Sequence, residues 1–194
     1  MTTILEKSGC KGNILVVDDE PDNLEVLSII LESEGYQVRQ AINANIALKT
    51  IKFQLPELIL LDIKMPEIDG YQLCRKLKSN SETKDIPVIF LSGLARDIDK
   101  CKGFEVGAVD FVVKPFHLQE TLARVQHHLT IRRLELELQQ RNHELSQQQN
   151  RLETEICIRQ QAENELENCK ILLEAKNRQL QTIVDNSHRL QAHS

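Results

Sequence analysis

The sequence predicts an α/β protein: a doubly wound, five-stranded parallel sheet with helices on both faces, continued by one long C-terminal helix. Three observations predict it. Short apolar runs alternate with amphipathic stretches from residue 13 to about residue 117. All seven glycines lie at or before Gly107 and all five prolines at or before Pro115, so nothing breaks the chain after that. Beyond that point leucines recur every seven residues.

The elements follow in order. Ile14–Val17 is a fully apolar run too short for a helix and reads as a buried strand. "PDNLEVLSIILESEG" places Pro21 at a helix start, apolar residues at helical spacing, and Gly35 at the end. Tyr36–Ala41 alternates, as a half-buried edge strand does. Leu58–Leu61, Val88–Leu91 and Phe111–Val113 are further short strands bounded by turn-formers. Strands alternating with helices imply a parallel sheet covered on both sides. Residues 13–130 form one comfortable core, with residues 1–12 as an N-terminal extension. His117–Leu129 is the fifth helix, and it runs on without Gly or Pro into residues 131–194.

In that last segment Ile131, Leu138, Leu145, Leu152, Leu166, Leu173 and Leu180 fall on one heptad position. Three residues on, Leu134, Ala162, Cys169, Ile183 and Leu190 mix with Arg141, Gln148, Glu155 and Lys176. One strong and one mixed seam position is the pattern of a coiled coil. A single helix about 110 Å long, at 1.5 Å per residue, has nothing of its own to cover such a stripe, which points to a parallel homodimer. The seam is thinnest over residues 139–151, where it rests on Leu145.

Bulk properties exclude several classes. A net charge of −5, with ten basic and ten acidic residues after residue 120, argues against a nucleic-acid footprint. No apolar run reaches the ~20 residues of a membrane span, and the N-terminus lacks a secretory pattern. Five scattered cysteines with no CxxC pair suit neither a zinc site nor a disulfide framework, so a cytoplasmic setting is expected. The histidines, His127 and His128 included, read as solvated helix positions.

The chemistry gathers at the strand ends. Asp18 and Asp19 follow the first run, Asp62 ends the third strand, Ser92 the fourth, and Lys114 follows the fifth. In an open parallel sheet these are carboxyl ends on one edge, where ligand crevices form. Three carboxylates need a cation between them, and oxygen-only ligands select a hard ion such as Mg²⁺. With a lysine, a hydroxyl and a carboxylate nucleophile, this set points to phosphoryl transfer.

"ILVVDDEPDN", "LILLDIKMPEIDG", "VIFLSG" and "DFVVKPF" resemble the receiver domain of bacterial response regulators, over residues 13 to about 130. The resemblance implies a flavodoxin-like sheet of order 2-1-3-4-5. It implies Asp62 as phosphoacceptor from a sensor histidine kinase or phosphotransfer protein, and Mg²⁺ (or Mn²⁺) held by Asp18, Asp19, Asp62 and the backbone carbonyl of Lys64. Lys114 would pair with Asp62 and then with the phosphoryl oxygens. Ser92 would hydrogen-bond the phosphoryl, Phe111 would be the aromatic switch, and the Lys114–Pro115 bond would be cis. Phe111 lacks the hydroxyl many receivers carry there. Lys64 and Leu94 flank the site and are expected to slow phosphoryl loss.

No turn for a helix-turn-helix and no catalytic motif follows residue 121. The expected output is therefore a dimeric coiled coil or another protein contact, and the chain is not expected to be an enzyme beyond accepting and losing its phosphoryl group. Two other readings are the receiver-plus-linker part of a larger hybrid kinase or cyclic-nucleotide synthase, and a coiled-coil scaffold that takes no phosphate. "IVDNS" near the end resembles the approach to a PAS domain, against a simple helix end. "SHRLQ" around His188 lacks the acid and proline of a kinase phosphoacceptor.

Overall fold

The computed structural model describes residues 11–93 and 100–191, excepting the side chains of residues 100, 101 and those beyond 178. Leu94 and residues 1–10 lie outside this range, as do the side chains of Leu180 and Ile183. Five strands form one parallel sheet in the order β2-β1-β3-β4-β5: β1 Asn13–Val17, β2 Gln37–Ala41, β3 Leu58–Asp62, β4 Val88–Ser92 and β5 Asp110–Val113. The helices are α1 Pro21–Ser33, α2 Ala44–Phe53, α3 Gly70–Lys78, α4 Lys100–Glu105 and α5 Leu118–Gln191. The doubly wound class and strand order expected from the sequence are the ones found.

Strands β1, β3 and β4 are buried along their whole length. Their side chains therefore divide by parity between two cores. Leu15, Val17, Ile59, Leu61, Val88 and Phe90 pack under α2, α3 and α4. Ile14, Val16, Leu58, Leu60, Ile89 and Leu91 pack under α1 and α5, where Leu27, Val125 and Leu129 close the layer. Burying each such side chain contributes roughly 1.5–3 kcal/mol.

Local chemistry sets the helix starts. Pro21 opens α1, and Gly35 (φ +88°) ends its C-terminal turn. The Asn43 side chain accepts from the Ile46 amide at 2.9 Å at the start of α2. Asp69 and Gln72 form a reciprocal capping box on α3: the Gln72 amide donates to Asp69 Oδ1 at 2.7 Å, and the Asp69 amide to Gln72 Oε1 at 3.2 Å.

At the amino edge of the sheet, Arg133 of α5 donates to Glu57 Oε2 at 3.2 Å and to the Lys11 carbonyl, while Glu57 Oε1 accepts from the Asn13 amide. These contacts tie α5 to the sheet one turn beyond Leu129. The chain divides into two compact units, ending at Glu137 and beginning at Leu138. In the second unit Leu138, Leu145, Leu152, Leu166 and Leu173 are all more than half exposed. The histidine expectation is corrected at one position. His127 is exposed, but His128 is tucked against β5, its side chain 13% exposed and its Nε2 3.2 Å from Asp110 Oδ2. The apolar face of α5 (Val125, Leu129) carries His128 inward beside Arg124, which forks onto both oxygens of Asp110 at 2.7 and 2.8 Å.

Candidate functional site

The parallel register brings the polar strand ends together on the carboxyl edge. Asp62 lies opposite Leu91 and Ser92 opposite Val113. The Lys114 amide donates to the Ser92 carbonyl at 2.7 Å, and the Asp18 amide to the Ala41 carbonyl at 3.2 Å. Asp18, Asp62 and Ser92 are 0%, 4% and 3% exposed, although all three are polar. Burial of this kind requires partners.

Lys114 supplies them. Its Nζ lies 2.8 Å from Asp18 Oδ2 and 2.9 Å from Asp62 Oδ1. Burial alone would weaken the ammonium, but hydrogen bonds and attraction from the two carboxylates outweigh it and raise its pKa above the usual lysine value. Asp62 runs the other way: burial lifts its carboxyl above the usual range, and Lys114 offsets only part of that. The Lys64 amide donates to Asp62 Oδ2 at 3.0 Å and orients the carboxylate. Lys114–Pro115 is cis.

The metal expectation can be tested on the donors themselves. One oxygen each of Asp18, Asp19 and Asp62 falls within a 4.8 Å cluster. Asp18 Oδ1 is held by the Glu20 amide at 3.0 Å and Asn23 Nδ2 at 3.1 Å, whereas buried Oδ2 has no partner beyond the Lys114 ion pair. Three carboxylates against one ammonium leave an excess of negative charge, all on oxygen ligands. This donor set fits a hard divalent cation such as Mg²⁺. A cavity of about 210 Å³ opens over it, lined by Asp19, Asp62, Lys64, Leu91, Ser92 and Lys114. A larger hollow of about 580 Å³ between the ends of α2 and α3 has only Lys52, Lys76 and Glu82 as charged lining and no buried acid.

Phe111 is buried, its ring 5.8 Å from Phe90 and 5.2 Å, edge-on, from Phe104. A Cβ on Gly103 of α4 would collide with that ring, so the glycine makes its seat. Gly70 plays the same part at α3, where a Cβ would collide with the Asp62 carbonyl. Of the residues expected at the strand ends only Leu94 lies outside the described structure, and Asp18, Asp19, Asp62, Lys64, Ser92 and Lys114 converge on one crevice. Sequence reasoning missed Glu20 and Asn23 as supports for Asp18. Their signal was the "DDEPDN" spacing, which sets Asn23 on the first turn of α1.

The class this fold and site define is confirmed by comparison. Residues 14–126 match the model of the response regulator receiver domain family, and the chain belongs to that family. It is 43% identical over 114 residues to the DNA-binding dual master transcriptional regulator RpaA of Synechocystis, covering 58% of this chain and 47% of RpaA. Among solved structures it resembles the signal receiver domain of a signal transduction histidine kinase from Syntrophus aciditrophicus (39% identity, TM-score 0.57, 61% of this chain and 90% of that one). NtrX from Brucella abortus, in complex with ATP, gives 32% identity and a TM-score of 0.62 over 66% of this chain and 29% of NtrX. The chain thus spans about half the length of RpaA, and the match lies in the receiver. A receiver implies a histidine kinase or phosphotransfer protein as phosphoryl source. No helix among the described residues is long and apolar enough to cross a membrane.

Proposed function

We propose that the chain is a phosphorylation-switched signalling module in which residues 13–130 receive the signal and residues 131–194 transmit it as a parallel homodimeric coiled coil. The observation that carries this reading is the Asp62–Lys114–Asp18 triad, buried beneath an acidic crevice at the carboxyl edge. An Asp62 oxygen attacks the phosphorus of a kinase phosphohistidine; the P–N bond breaks and its electron pair returns to the imidazole. Asp18, Asp19, Asp62 and the Lys64 carbonyl would hold Mg²⁺, which when bound neutralises charge on the phosphoryl oxygens. Lys114 is placed to exchange its Asp62 contact for a phosphoryl oxygen, and Ser92 to donate its hydroxyl. Phe111, seated over Gly103, fills space as Ser92 moves and so carries the change to α4. Lys64, which lines the crevice, shields the acyl phosphate from water.

The receiver acts as a phosphoacceptor rather than a turnover enzyme. The output proposed is protein–protein contact through α5, supported by its heptad stripe and by the balanced charges of residues 121–194. That RpaA is a DNA-binding regulator does not weigh against this, since less than half of RpaA is matched. A second reading, the receiver portion of a hybrid histidine kinase, is favoured by the likeness to a histidine kinase's receiver domain.

Incubation with acetyl phosphate, with and without Mg²⁺, followed by intact mass, tests the switch. One phosphoryl group on wild type, dependent on Mg²⁺ and absent from Asp62→Asn, is expected, with faster loss in Lys64→Asn. No adduct under rapid quench would leave a scaffold that takes no phosphate.

A further inference from the structure

The seam of α5 is interrupted at its middle in a particular way. In the heptad frame set by the leucines, Glu155 and Arg159 occupy the two inner positions. Ile156 and Ile158 occupy the two flanking positions, which in coiled coils are usually charged. Both isoleucines are exposed, 55% and 62%, and so are Leu152 and Leu166 on either side, 51% and 58%. The ordinary arrangement is inverted for this one heptad: charges inside, apolar groups at the rims.

Resting on the reading of α5 as a parallel dimer, we infer that this heptad is a self-complementary lock for a second copy of the chain. Glu155 of each copy pairs with Arg159 of the other, twice across the two-fold axis, and Ile156 and Ile158 cover the four charges. The four charges cancel. Alone, the Arg159 layer would oppose two guanidinium groups and the Glu155 layer two carboxylates. The layers are four residues apart, about 6 Å along the helix, so each charge finds its opposite in the neighbouring layer of the other copy. The isoleucines exclude water and strengthen the pairs. In the single chain Arg159 Nε bonds Glu163 Oε1 at 3.1 Å, but those side chains are 81% and 64% exposed, and such a contact is readily exchanged.

The lock also sets register. A slip of one heptad places Arg159 against leucine on both sides, Leu152 and Leu166, and Glu155 against Ala162. An antiparallel pairing centred on residue 157 still brings Glu155 near Arg159, but it sets Leu138 against Lys176 and Leu173 against Arg141. The parallel arrangement keeps each of those leucines facing its own copy. Polar groups inside a seam are best attested in this registering role.

Light scattering on full-length chains tests the lock. Wild type is expected to be dimeric. Arg159→Glu (four acids per dimer) and Glu155→Arg (four bases) are each expected to dissociate at least about tenfold more readily, as unpaired charges closed off from water require. Mixing the two variants, differently tagged, is expected to restore a dimer holding one of each, and the double exchange within one chain to restore the homodimer. Restoration on mixing also shows that the variants are folded. A monomeric wild type would overturn the dimer reading itself. A dimeric wild type whose single variants dimerise as tightly, or mix without preference, would overturn the lock and leave the dimer reading standing.

Discussion

Replacing Gly70 by alanine should loosen the receiver and displace Asp62, the proposed phosphoacceptor. Gly70 is the first residue of α3, and its amide donates to the Ile63 carbonyl at 2.9 Å. An added Cβ would overlap the Asp62 carbonyl oxygen and come within 2.9 Å of Ile63 Cα and 3.0 Å of the Asp62 carbonyl carbon. All three are backbone atoms, so no side chain can swing aside and the helix start must retreat. Overpacking costs about 1–3 kcal/mol, and the strained Gly70–Ile63 hydrogen bond about 1 kcal/mol. Better helix propensity returns up to about 1 kcal/mol. The net loss is about 2 kcal/mol, or roughly 6 °C in Tm for a domain of this size. Both tyrosines, Tyr36 and Tyr71, belong to the receiver, so tyrosine fluorescence in urea reports this unit without interference from residues 138–194. Gly93→Ala is the control: no described residue lies within 4 Å of its added Cβ, and the change should stay within about 0.5 kcal/mol. Coincident urea midpoints for Gly70→Ala and wild type would refute the reasoning.

Other perturbations have signs of their own. Glu67 sits at φ 65° in the β3–α3 loop, a left-handed conformation that costs a side chain about 1–2 kcal/mol, and its bond from Asn45 Nδ2 is long at 3.5 Å. Glu67→Gly should stabilise by about 0.5 kcal/mol once the greater freedom of unfolded glycine is deducted; a lower urea midpoint would contradict this. Asp62 has a raised folded pKa, chiefly from burial, so its ionised form opposes folding above that pKa, and the opposition fades as pH falls through it toward the unfolded value. Asp62→Asn should therefore unfold at higher urea than wild type at neutral pH, with the gap narrowing under mildly acidic conditions. A gap that widens on acidification would show that the Lys114 pair, not burial, dominates.

The sheet and its site were legible because both are written in short runs. Ile14–Val17, Leu58–Leu61 and Val88–Leu91 are apolar at every position, which a strand buried on both faces demands. Asp62 at the end of such a run has no reason to be there except chemistry. The Asp110–Arg124–His128 cluster and the Glu57–Arg133 tie were illegible, because each joins groups 14 to 76 residues apart through packing that no local pattern encodes. The seats at Gly70 and Gly103 were hidden for another reason: a glycine reveals what approaches it only after the fold is formed.

The native cysteines of α5 offer the most direct test of the whole scheme. Cys169 falls on the proposed seam and Cys157 on the face opposite to it in the same heptad frame, and both are exposed in the single chain. Oxidative cross-linking of full-length protein carrying only one of the two should be fast for Cys169 and slow for Cys157. Acetyl phosphate with Mg²⁺ should change the Cys169 rate in wild type and leave it unchanged in Asp62→Asn. A Cys169 rate that ignores the phosphoryl donor, or that matches Cys157, would contradict a phosphorylated receiver acting through a parallel coil.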